Sequence, residues 1–278
     1  MEELTLSEIH DGTLQILKKI MAICDQIGVN YYLAYGSLIG AVRHRGFIPW
    51  DDDLDIVMLR GDYERFTEYC AANETELYPF KLLNRENTAK YPYNIARFND
   101  MRYRAVYDNL QSYDSGMFID IYPLDGAGSM TPAEVEKLNR KRSYLMKMIL
   151  WSIDDHYEQS QHGKWYRSVI KLFARGYAKL RGAKHFLDKM EELKNSYPMD
   201  TSRYVAEMVW DPQTVLCEKT WFDGFSLVEF EGLQVKAPAD TDAFLRAYYG
   251  DYMQLPPPEA RKPSHGYALY KRDCPAAE

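Results

Sequence analysis

The stretch AYGSLIGAVRHRGFIPWDDDLDIVM, residues 34–58, carries the clearest structural and chemical pattern in the chain. Just before and into it, Tyr31 to Tyr35 is a short aromatic and apolar run that predicts a strand. The run meets Gly36-Ser37, after which Leu38 to Val42 predicts a short helix. Leu54 to Leu59 predicts a second strand, which is entered through several aspartates. The pattern is therefore strand, tight turn, helix, acidic loop and strand.

The aspartates of this stretch, Asp51, Asp52, Asp53 and Asp55, lie within five positions. On a strand, Asp53 and Asp55 point to the same face, and at an effective dielectric of about 20 two charges about 4 Å apart repel by roughly 4 kcal/mol. A divalent cation turns this repulsion into attraction, and magnesium prefers a few carboxylates plus substrate phosphate oxygens. A solvated acidic loop is the alternative interpretation. An EF-hand is rejected, because its sixth position is Ile56 instead of glycine.

Gly36-Ser37 strengthens the interpretation as a phosphate site. A strand that ends in a Gly-Ser turn at a helix start presents backbone N–H groups and a hydroxyl to an anion, although an ordinary turn with a serine cap has the same pattern. The chain has neither a GxxxxGK[ST] loop nor a GxGxxG fingerprint, so P-loop and Rossmann folds have no support. The turn on one strand and the aspartate pair on the next together predict a nucleotide-diphosphate site.

Asp120 supplies a third candidate ligand, because it interrupts the apolar run MFIDIYPL, residues 117–124. A lone carboxylate in a buried strand costs several kcal/mol unless it is paired or binds a metal. The alternative for Asp120 is a salt bridge to an arginine of a neighbouring strand, such as Arg97. Asp125 follows Pro123, and we assign it to a turn or a cap.

The rest of the pattern predicts an α/β fold (α+β by order of elements), with a mixed-sheet core at residues 1–130. A helical region and a C-terminal hairpin and helix, residues 131–278, complete the site. A capping box at Thr5 and Glu8 begins the first helix, and Gly28 ends it. Further strands are predicted at Phe80–Leu83, Tyr93–Phe98, Tyr103–Tyr107 and Met117–Tyr122, helices at 62–72, from Thr131, at 164–180, 183–196 and 240–249, a hairpin at 225–236, and an irregular tail from Pro256.

Composition excludes several functional classes. The 34 basic and 41 acidic side chains give a net charge of −7, which provides no field for collecting nucleic acid. No stretch approaches the roughly 18 uncharged apolar residues of a membrane-spanning helix, and the acidic N-terminus does not look like an export signal. The four cysteines form no CxxC pair, which favours reduced thiols. We therefore expect a cytoplasmic protein without a transmembrane segment.

The segments GSLIGAVRHRGFIPWDDDLDI, FIDIYPLDG, FEGLQVKAP and YGDYMQLPP together resemble the LicD family of phosphotransferases, which is related to the fukutin proteins. The resemblance runs through nearly the whole chain and implies a nucleotidyltransferase-like fold. The pattern of that superfamily is a Gly-Ser turn, an Asp-x-Asp pair on the next strand and a third aspartate on a later strand. Here these fall on Gly36-Ser37, on Asp53 and Asp55, and on Asp120.

The resemblance implies transfer of a phospho-substituent: phosphocholine from CDP-choline onto a sugar hydroxyl of a teichoic acid or lipopolysaccharide, or ribitol phosphate from CDP-ribitol. It implies Mg²⁺ or Mn²⁺ on Asp53, Asp55 and Asp120, with Asp51 as a further candidate ligand, and CMP as the leaving group. Asp120 is also the candidate acceptor of the hydroxyl proton. A lipid-linked glycan acceptor implies peripheral contact with the inner face of a membrane.

Substrate-binding candidates surround these aspartates. Gly36 and Ser37 are expected to hold phosphate, and an aromatic face is expected against the trimethylammonium group of a choline donor. The remaining candidates are Arg43, Arg97 and Arg104 as clamps on phosphate oxygens, Trp50 or one of the many tyrosines as the aromatic face, and His265 from the C-terminal stretch.

Three other interpretations of the function remain open. A metal-dependent glycosyltransferase also binds a nucleotide diphosphate through a DxD pair, but a sizeable nucleotide-binding half usually precedes that pair. A nucleotidyltransferase on the same fold differs in releasing pyrophosphate instead of CMP. An acidic scaffold would use the aspartates only for a structural ion.

Overall fold

The computed structural model describes residues 3–89, 91–107, 113–153, 165–261 and 266–272. Helices and strands alternate through the first half, and two long helices dominate the middle, so an α/β class is correct. The helices are α1 (Leu6–Ile27), α2 (Tyr35–His44), α3 (Arg60–Ala72), α4 (Glu74–Leu77), α5 (Pro132–Ile153), α6 (Trp165–Glu191) and α7 (Thr241–Tyr249). The strands are β1 (Tyr32–Leu33), β2 (Asp55–Leu59), β3 (Phe80–Leu83), β4 (Ala96–Asp100), β5 (Tyr103–Tyr107), β6 (Met117–Gly126), β7 (Tyr204–Glu207), β8 (Cys217–Glu218), β9 (Phe225–Phe230), β10 (Leu233–Pro238) and β11 (Tyr267–Lys271).

A mixed sheet forms the centre of the described fold. Its order is β1-β2-β6-β4-β3, and β7 pairs with the far part of β6 and carries β8. Only β2 and β6 run parallel among the described pairs, and their register places Asp55 opposite Asp120. Strands β7 and β8 come from beyond residue 131, so both halves of the chain build this sheet, and the division at residue 130 stays a prediction.

Helix α1 confirms the first helix prediction in detail. Thr5 Oγ1 accepts the N–H of Glu8, and the Glu8 carboxylate accepts the N–H of Thr5, which completes the capping box. Gly28 ends the helix with φ 65°, a left-handed conformation that favours glycine. Its side chains Ile16, Leu17, Ile20 and Ile23 are buried in the core, and each such side chain contributes about 1.5–3 kcal/mol.

The assignment of Asp125 to a turn is wrong. Strand β6 continues through Pro123 to Gly126, and Asp125 is completely buried. Pairing of β6 with β4 ends at Ile121 and pairing with β7 begins at Leu124, so the missing N–H of proline falls between the two ladders. Arg60 Nε and Nη2 donate to the two carboxylate oxygens of Asp125 at 2.7 and 2.8 Å. Asp125 therefore fixes α3 to the sheet.

The prediction of an irregular tail is also wrong for its last described part. Tyr267–Lys271 forms β11, which pairs antiparallel with β5. Leu269 is buried in the core, and its carbonyl accepts the N–H of Leu4 at 2.8 Å. The segment has only five residues, so its strand character depends on a partner that lies about 160 positions earlier in the chain.

Helices α5 and α6 form the middle region with a second apolar core. Thr131 and Glu134 make the predicted capping box of α5. Gly182, with φ 75° and ψ 158°, breaks α6 into two helical segments, as the two separate helix predictions required. None of the described helices is both long enough and apolar enough to cross a membrane. The described cysteines Cys24, Cys70 and Cys217 are buried free thiols.

A completely buried ion pair fixes α5 to β7. Arg142 Nη2 donates to Glu207 at 2.6 Å, and Nη1 donates to the Thr214 hydroxyl at 2.6 Å. The other Glu207 contacts are the backbone N–H groups of Val209, Trp210 and Asp211.

We expect Arg142→Met to lower the free energy of unfolding by about 3–5 kcal/mol, because it leaves the Glu207 charge buried without its partner. Urea unfolding followed by circular dichroism measures this loss. The control is Arg140→Met, which removes the exposed pair of Arg140 with Glu136 on the same helix and should cost less than about 1 kcal/mol. Equal losses for the two variants would contradict the assignment.

Candidate active site

Asp55 and Asp120 lie opposite each other where the parallel pairing of β2 with β6 begins. The Asp120 N–H donates to the Leu54 carbonyl at 3.2 Å, and the Ala34 N–H donates to the Asp55 carbonyl at 3.1 Å. The two strands that carry Asp55 and Asp120 are therefore adjacent in the sheet. The strand order β1-β2-β6 brings the beginning of α2, the Asp-x-Asp pair and Asp120 to one place.

Asp55 has an unusual electrostatic environment. Within the described part of the chain, its Oδ1 atom is buried and accepts no hydrogen bond. Burial raises the pKa of Asp55 well above its usual range, and the negative charges of Asp53, Asp120 and Asp51 raise it further. A buried acceptor next to three other carboxylates is costly unless a cation satisfies it.

The residues fit an open metal site better than a closed one. Among residues 3–89, 91–107, 113–153, 165–261 and 266–272, no three carboxylate, imidazole or thiol groups already converge as a complete ligand set. The unsatisfied Oδ1 of Asp55 nevertheless lies among carboxylates, which are the ligands that magnesium prefers. Magnesium commonly takes one or two carboxylates and completes its shell with substrate phosphates and water.

The acidic loop is held from three sides. Asp51 lies against α2, where a Cβ on Gly36 would come within 3.0 Å of Asp51 Oδ2. His10 Nε2 donates to the Asp51 carbonyl at 2.7 Å, and the Tyr267 hydroxyl donates to the Asp52 carbonyl at 3.3 Å. Residues from α1 and β11 thus position the loop backbone, and neither was predicted as part of the site.

Gly36 and Ser37 lie in the first turn of α2, instead of in a separate turn before it. The first intrahelical bond runs from Leu38 N–H to the Ala34 carbonyl, so the preceding N–H groups have no partner within the helix. Ser37 Oγ accepts the N–H of Asp55 at 2.9 Å, which ties the start of α2 to the first residue of β2. Tyr35 begins the helix with φ 49°, and strain of this kind in a non-glycine residue concentrates at functional sites.

Gly40 is a site residue that the sequence analysis missed. It lies four positions after Gly36 on the same face of α2, and a Cβ there would come within 2.4 Å of the Gly46 carbonyl oxygen. That oxygen belongs to the loop leading to the aspartates. The spacing of two glycines by four on a short helix is the sequence signal that points to this close approach.

We expect Gly40→Ala to lower both stability and turnover, because the contact is with backbone and the whole loop must move. The loss of stability should be about 1–3 kcal/mol. Thermal unfolding and a turnover assay measure the two effects. Gly61→Ala is the control, because Gly61 lies on α3 with open space at its Cβ position. Unchanged turnover in Gly40→Ala would show that the loop position does not matter.

Arg97 is bonded to Asp120 and is not available as a free phosphate clamp. Its Nε and Nη2 donate to the two Asp120 carboxylate oxygens at 2.6 and 3.3 Å, so the ion pair named as the alternative for Asp120 is present. The remaining contacts of the guanidinium are two hydroxyls at 2.8 and 2.7 Å and two ring faces at 4.1 and 3.9 Å, from Tyr107, Tyr113, Tyr93 and Phe118 respectively. This arrangement makes Arg97 a positioning residue for Asp120.

The other two candidate arginines lie on α2 and on β5. Arg43 Nη1 donates to the Tyr252 carbonyl at 3.3 Å, which ties the end of α2 to the segment after α7. Arg104 is exposed on β5 and lies on the opposite face of that strand from Tyr107, which contacts Arg97. Their assignment as clamps stays a prediction that the geometry does not favour.

Of the last two substrate-binding candidates, the structure describes only Trp50. Trp50 is half-buried next to Asp51, and the Arg261 guanidinium lies 5.6 Å from its ring centroid. A cation therefore already contacts the ring that was expected to receive the trimethylammonium group. His265 lies outside the described residues.

Tyrosines, the other expected source of an aromatic face, also line this region, although no individual tyrosine was singled out from the sequence. Tyr122 packs edge-on against Tyr35 at 5.2 Å between centroids, and Tyr248 packs against Tyr35 at 5.0 Å. Tyr249 is 46% exposed, and partial burial together with the negative charges of Asp55, Asp51 and Asp53 raises its pKa. Tyr249 is therefore a partly exposed ring within electrostatic range of the carboxylates.

Comparisons with known proteins agree with this geometry. The chain is 31% identical to the lipopolysaccharide cholinephosphotransferase LicD of Haemophilus influenzae, over 97% of this chain and 99% of that protein. The chain belongs to the LicD family. The family described as LicD/FKTN/FKRP, nucleotidyltransferase domain, matches residues 28–150. Mouse and human ribitol 5-phosphate transferase FKRP are each 46% identical over 37 residues, which is 13% of this chain and 8% of theirs.

The matched region of this LicD-family chain contains α2, the acidic loop and the strand pair β2 and β6. The similarity to the Haemophilus influenzae protein also covers α5, α6 and the C-terminal elements. Membership of the family supports a transferase acting through phosphate chemistry, and the predicted resemblance is confirmed.

Proposed function

We propose that this chain transfers phosphocholine from a CDP-linked donor to a sugar hydroxyl of a cell-surface glycan precursor. The observation that carries the proposal is the unsatisfied, buried Oδ1 of Asp55, which is affected by the charges of Asp53 and Asp120 and whose backbone is bonded to Ser37 in the first turn of α2. The similarity to a lipopolysaccharide cholinephosphotransferase over nearly the full length supports the same carried group. A reaction on lipid-linked glycan at the inner face of a membrane follows from this acceptor class.

The metal ligands in this proposal are Asp53, Asp55 and Asp120, with Asp51 at the edge of the site. When bound, Mg²⁺ or Mn²⁺ would neutralise the charge that develops on the diphosphate. The first-turn N–H groups at Gly36 and Ser37 bind a phosphate oxygen, since a helix N-terminus favours anions. Ser37 also fixes the backbone of Asp55, so phosphate binding and ligand position are coupled.

The chain's own residues also account for the proton. In the transfer, the sugar oxygen forms a bond to the phosphorus that carries choline, and the bond from that phosphorus to the CMP oxygen breaks. The hydroxyl proton goes to a carboxylate oxygen of Asp120, which Arg97 holds in a fixed orientation. CMP leaves with the electrons of the broken bond.

The choline group is expected to contact Tyr249 more directly than Trp50, because Arg261 already lies over the Trp50 ring. Tyr249→Ala should raise the KM for a choline donor about tenfold. Trp50→Ala should change it less, and kcat should fall little in either variant. Steady-state kinetics with CDP-choline measure both. A larger KM effect at Trp50 would reverse the assignment.

The test of the proposal is calorimetric titration of CDP-choline, CDP-ribitol, CTP and a UDP-sugar, with and without Mg²⁺. We expect Mg²⁺-dependent binding of CDP-choline, lost in Asp53→Asn and retained in the exposed control Asp11→Asn. Preference for CDP-ribitol would change the carried group. Preference for the UDP-sugar would favour the glycosyltransferase alternative, and binding of CTP alone would favour the nucleotidyltransferase alternative.

A further inference from the structure

The first segment of α6 exposes a continuous apolar face. Leu172, Phe173 and Leu180 are 68%, 74% and 85% exposed, and Tyr177 is 41% exposed. At about 100° per residue, these positions and Gly176 fall within an arc of about 140°. The buried Ala178 lies on the opposite side of the helix. Large apolar side chains this exposed on one helix face mark an interaction surface.

The same helix behaves differently beyond its break at Gly182. There Phe186, Leu187 and Met190 are almost completely buried in the second apolar core. Before the break, Ala178 belongs to that core, whereas Leu172, Phe173 and Leu180 are exposed to solvent. The exposed face is therefore a property of the segment from 171 to 181 and does not reflect an unusually apolar helix throughout.

Positive charge accompanies this face. The segment contains Lys171, Arg175, Lys179 and Arg181, and no acidic residue occurs between residues 165 and 187. The whole chain has a net charge of −7, so this concentration of basic residues opposes the average. By helical geometry, Lys179 lies at one edge of the apolar arc and Arg181 at the other.

We infer that residues 171–181 of α6 lie in the surface of a membrane that contains anionic lipids. An apolar face flanked by lysine and arginine is the pattern of a helix that lies in the plane of a bilayer surface. Phe173 and Leu180 insert at the level of the headgroups, and the basic side chains contact lipid phosphates. A second copy of the chain fits less well, because two such faces would bring Lys179 and Arg181 of both copies close together.

The test is flotation of the whole protein with vesicles of phosphatidylcholine alone and of equal parts phosphatidylcholine and phosphatidylglycerol. We expect binding to the anionic vesicles only, weakened by added salt. Phe173→Ser/Leu180→Ser should lower the partition coefficient about tenfold or more. Its control, Leu227→Ser/Met253→Ser, removes two exposed apolar side chains elsewhere and should bind as the wild type does.

A charge pair of variants separates the two contributions. Lys179→Glu/Arg181→Glu should also lower binding about tenfold or more, whereas Lys18→Glu/Lys189→Glu, on exposed helix positions elsewhere, should not. Equal binding to neutral and anionic vesicles would overturn the inference, as would absence of binding to either. A dimer in sedimentation velocity that Phe173→Ser/Leu180→Ser dissociates would assign the face to self-association instead. These readouts do not depend on donor or turnover.

Discussion

Asp55→Asn is expected to lower turnover by about a thousandfold or more and, in the absence of divalent cations, to raise the melting temperature. The activity falls because asparagine is a neutral and weaker metal ligand at the centre of the proposed site. The stability rises because the variant removes a charge that is buried without a hydrogen bond at Oδ1. The backbone N–H of residue 55 still donates to Ser37, so the fold of the loop is retained.

The pH dependence of this effect follows from the raised pKa of Asp55. Since the folded state holds the proton more tightly than the unfolded state, the ionised carboxylate destabilises the fold at pH values above the unfolded pKa. Lowering the pH toward the unfolded value should therefore reduce the difference in stability between wild type and variant. Differential scanning fluorimetry at several pH values measures this.

Added Mg²⁺ gives the sharpest contrast. The wild-type melting temperature should rise with Mg²⁺, whereas that of Asp55→Asn should respond little. Asp11→Asn, at an exposed position of α1, should match the wild type in every measurement. A fully active Asp55→Asn enzyme would remove the basis for the metal site.

Arg97→Met is the second variant with a large expected effect, a loss of about 3–5 kcal/mol in the free energy of unfolding. The change leaves Asp120 charged and buried next to Asp55 without its bidentate partner. Turnover should fall as well, because Asp120 loses the contacts that orient both of its oxygens. Urea unfolding and a turnover assay measure the two losses.

The double variant Arg97→Met/Asp120→Asn separates structure from chemistry. It removes both charges of the pair, so most of the lost stability should return. Activity should not return, because Asp120 is the proposed ligand and proton acceptor. Arg97→Lys should remain impaired, since an ammonium group cannot reproduce the fork that contacts both oxygens. Full activity in the double variant would exclude a catalytic role for Asp120.

Local signals in the sequence were sufficient for the parts of the fold that depend on neighbouring residues. The capping boxes at Thr5 and Thr131 and the break at Gly182 have chemistry that operates within a few positions. The pairing of Asp55 with Asp120 was also predictable, because an acidic residue in each of two apolar strands indicates a shared site.

The missed features depend on contacts between distant parts of the chain. Strand β11 exists because β5 offers it an edge, and Asp125 is a strand residue because Arg60 neutralises it. The enclosure of Arg97 could be guessed only as one alternative, since the residues around it come from several segments. No pattern within the tail or within β6 identifies these distant partners.

Because Tyr267 contacts the acidic loop, this contact can form only late in translation, after the rest of the site has been made. Tyr267 is translated more than 200 residues after Asp52, whose carbonyl it supports. A nascent chain can form α1, the Asp-x-Asp strand and the central sheet well before that support emerges. The acidic loop therefore receives this backbone contact only after residue 267 has been translated, so we expect shorter nascent chains to hold the loop less firmly.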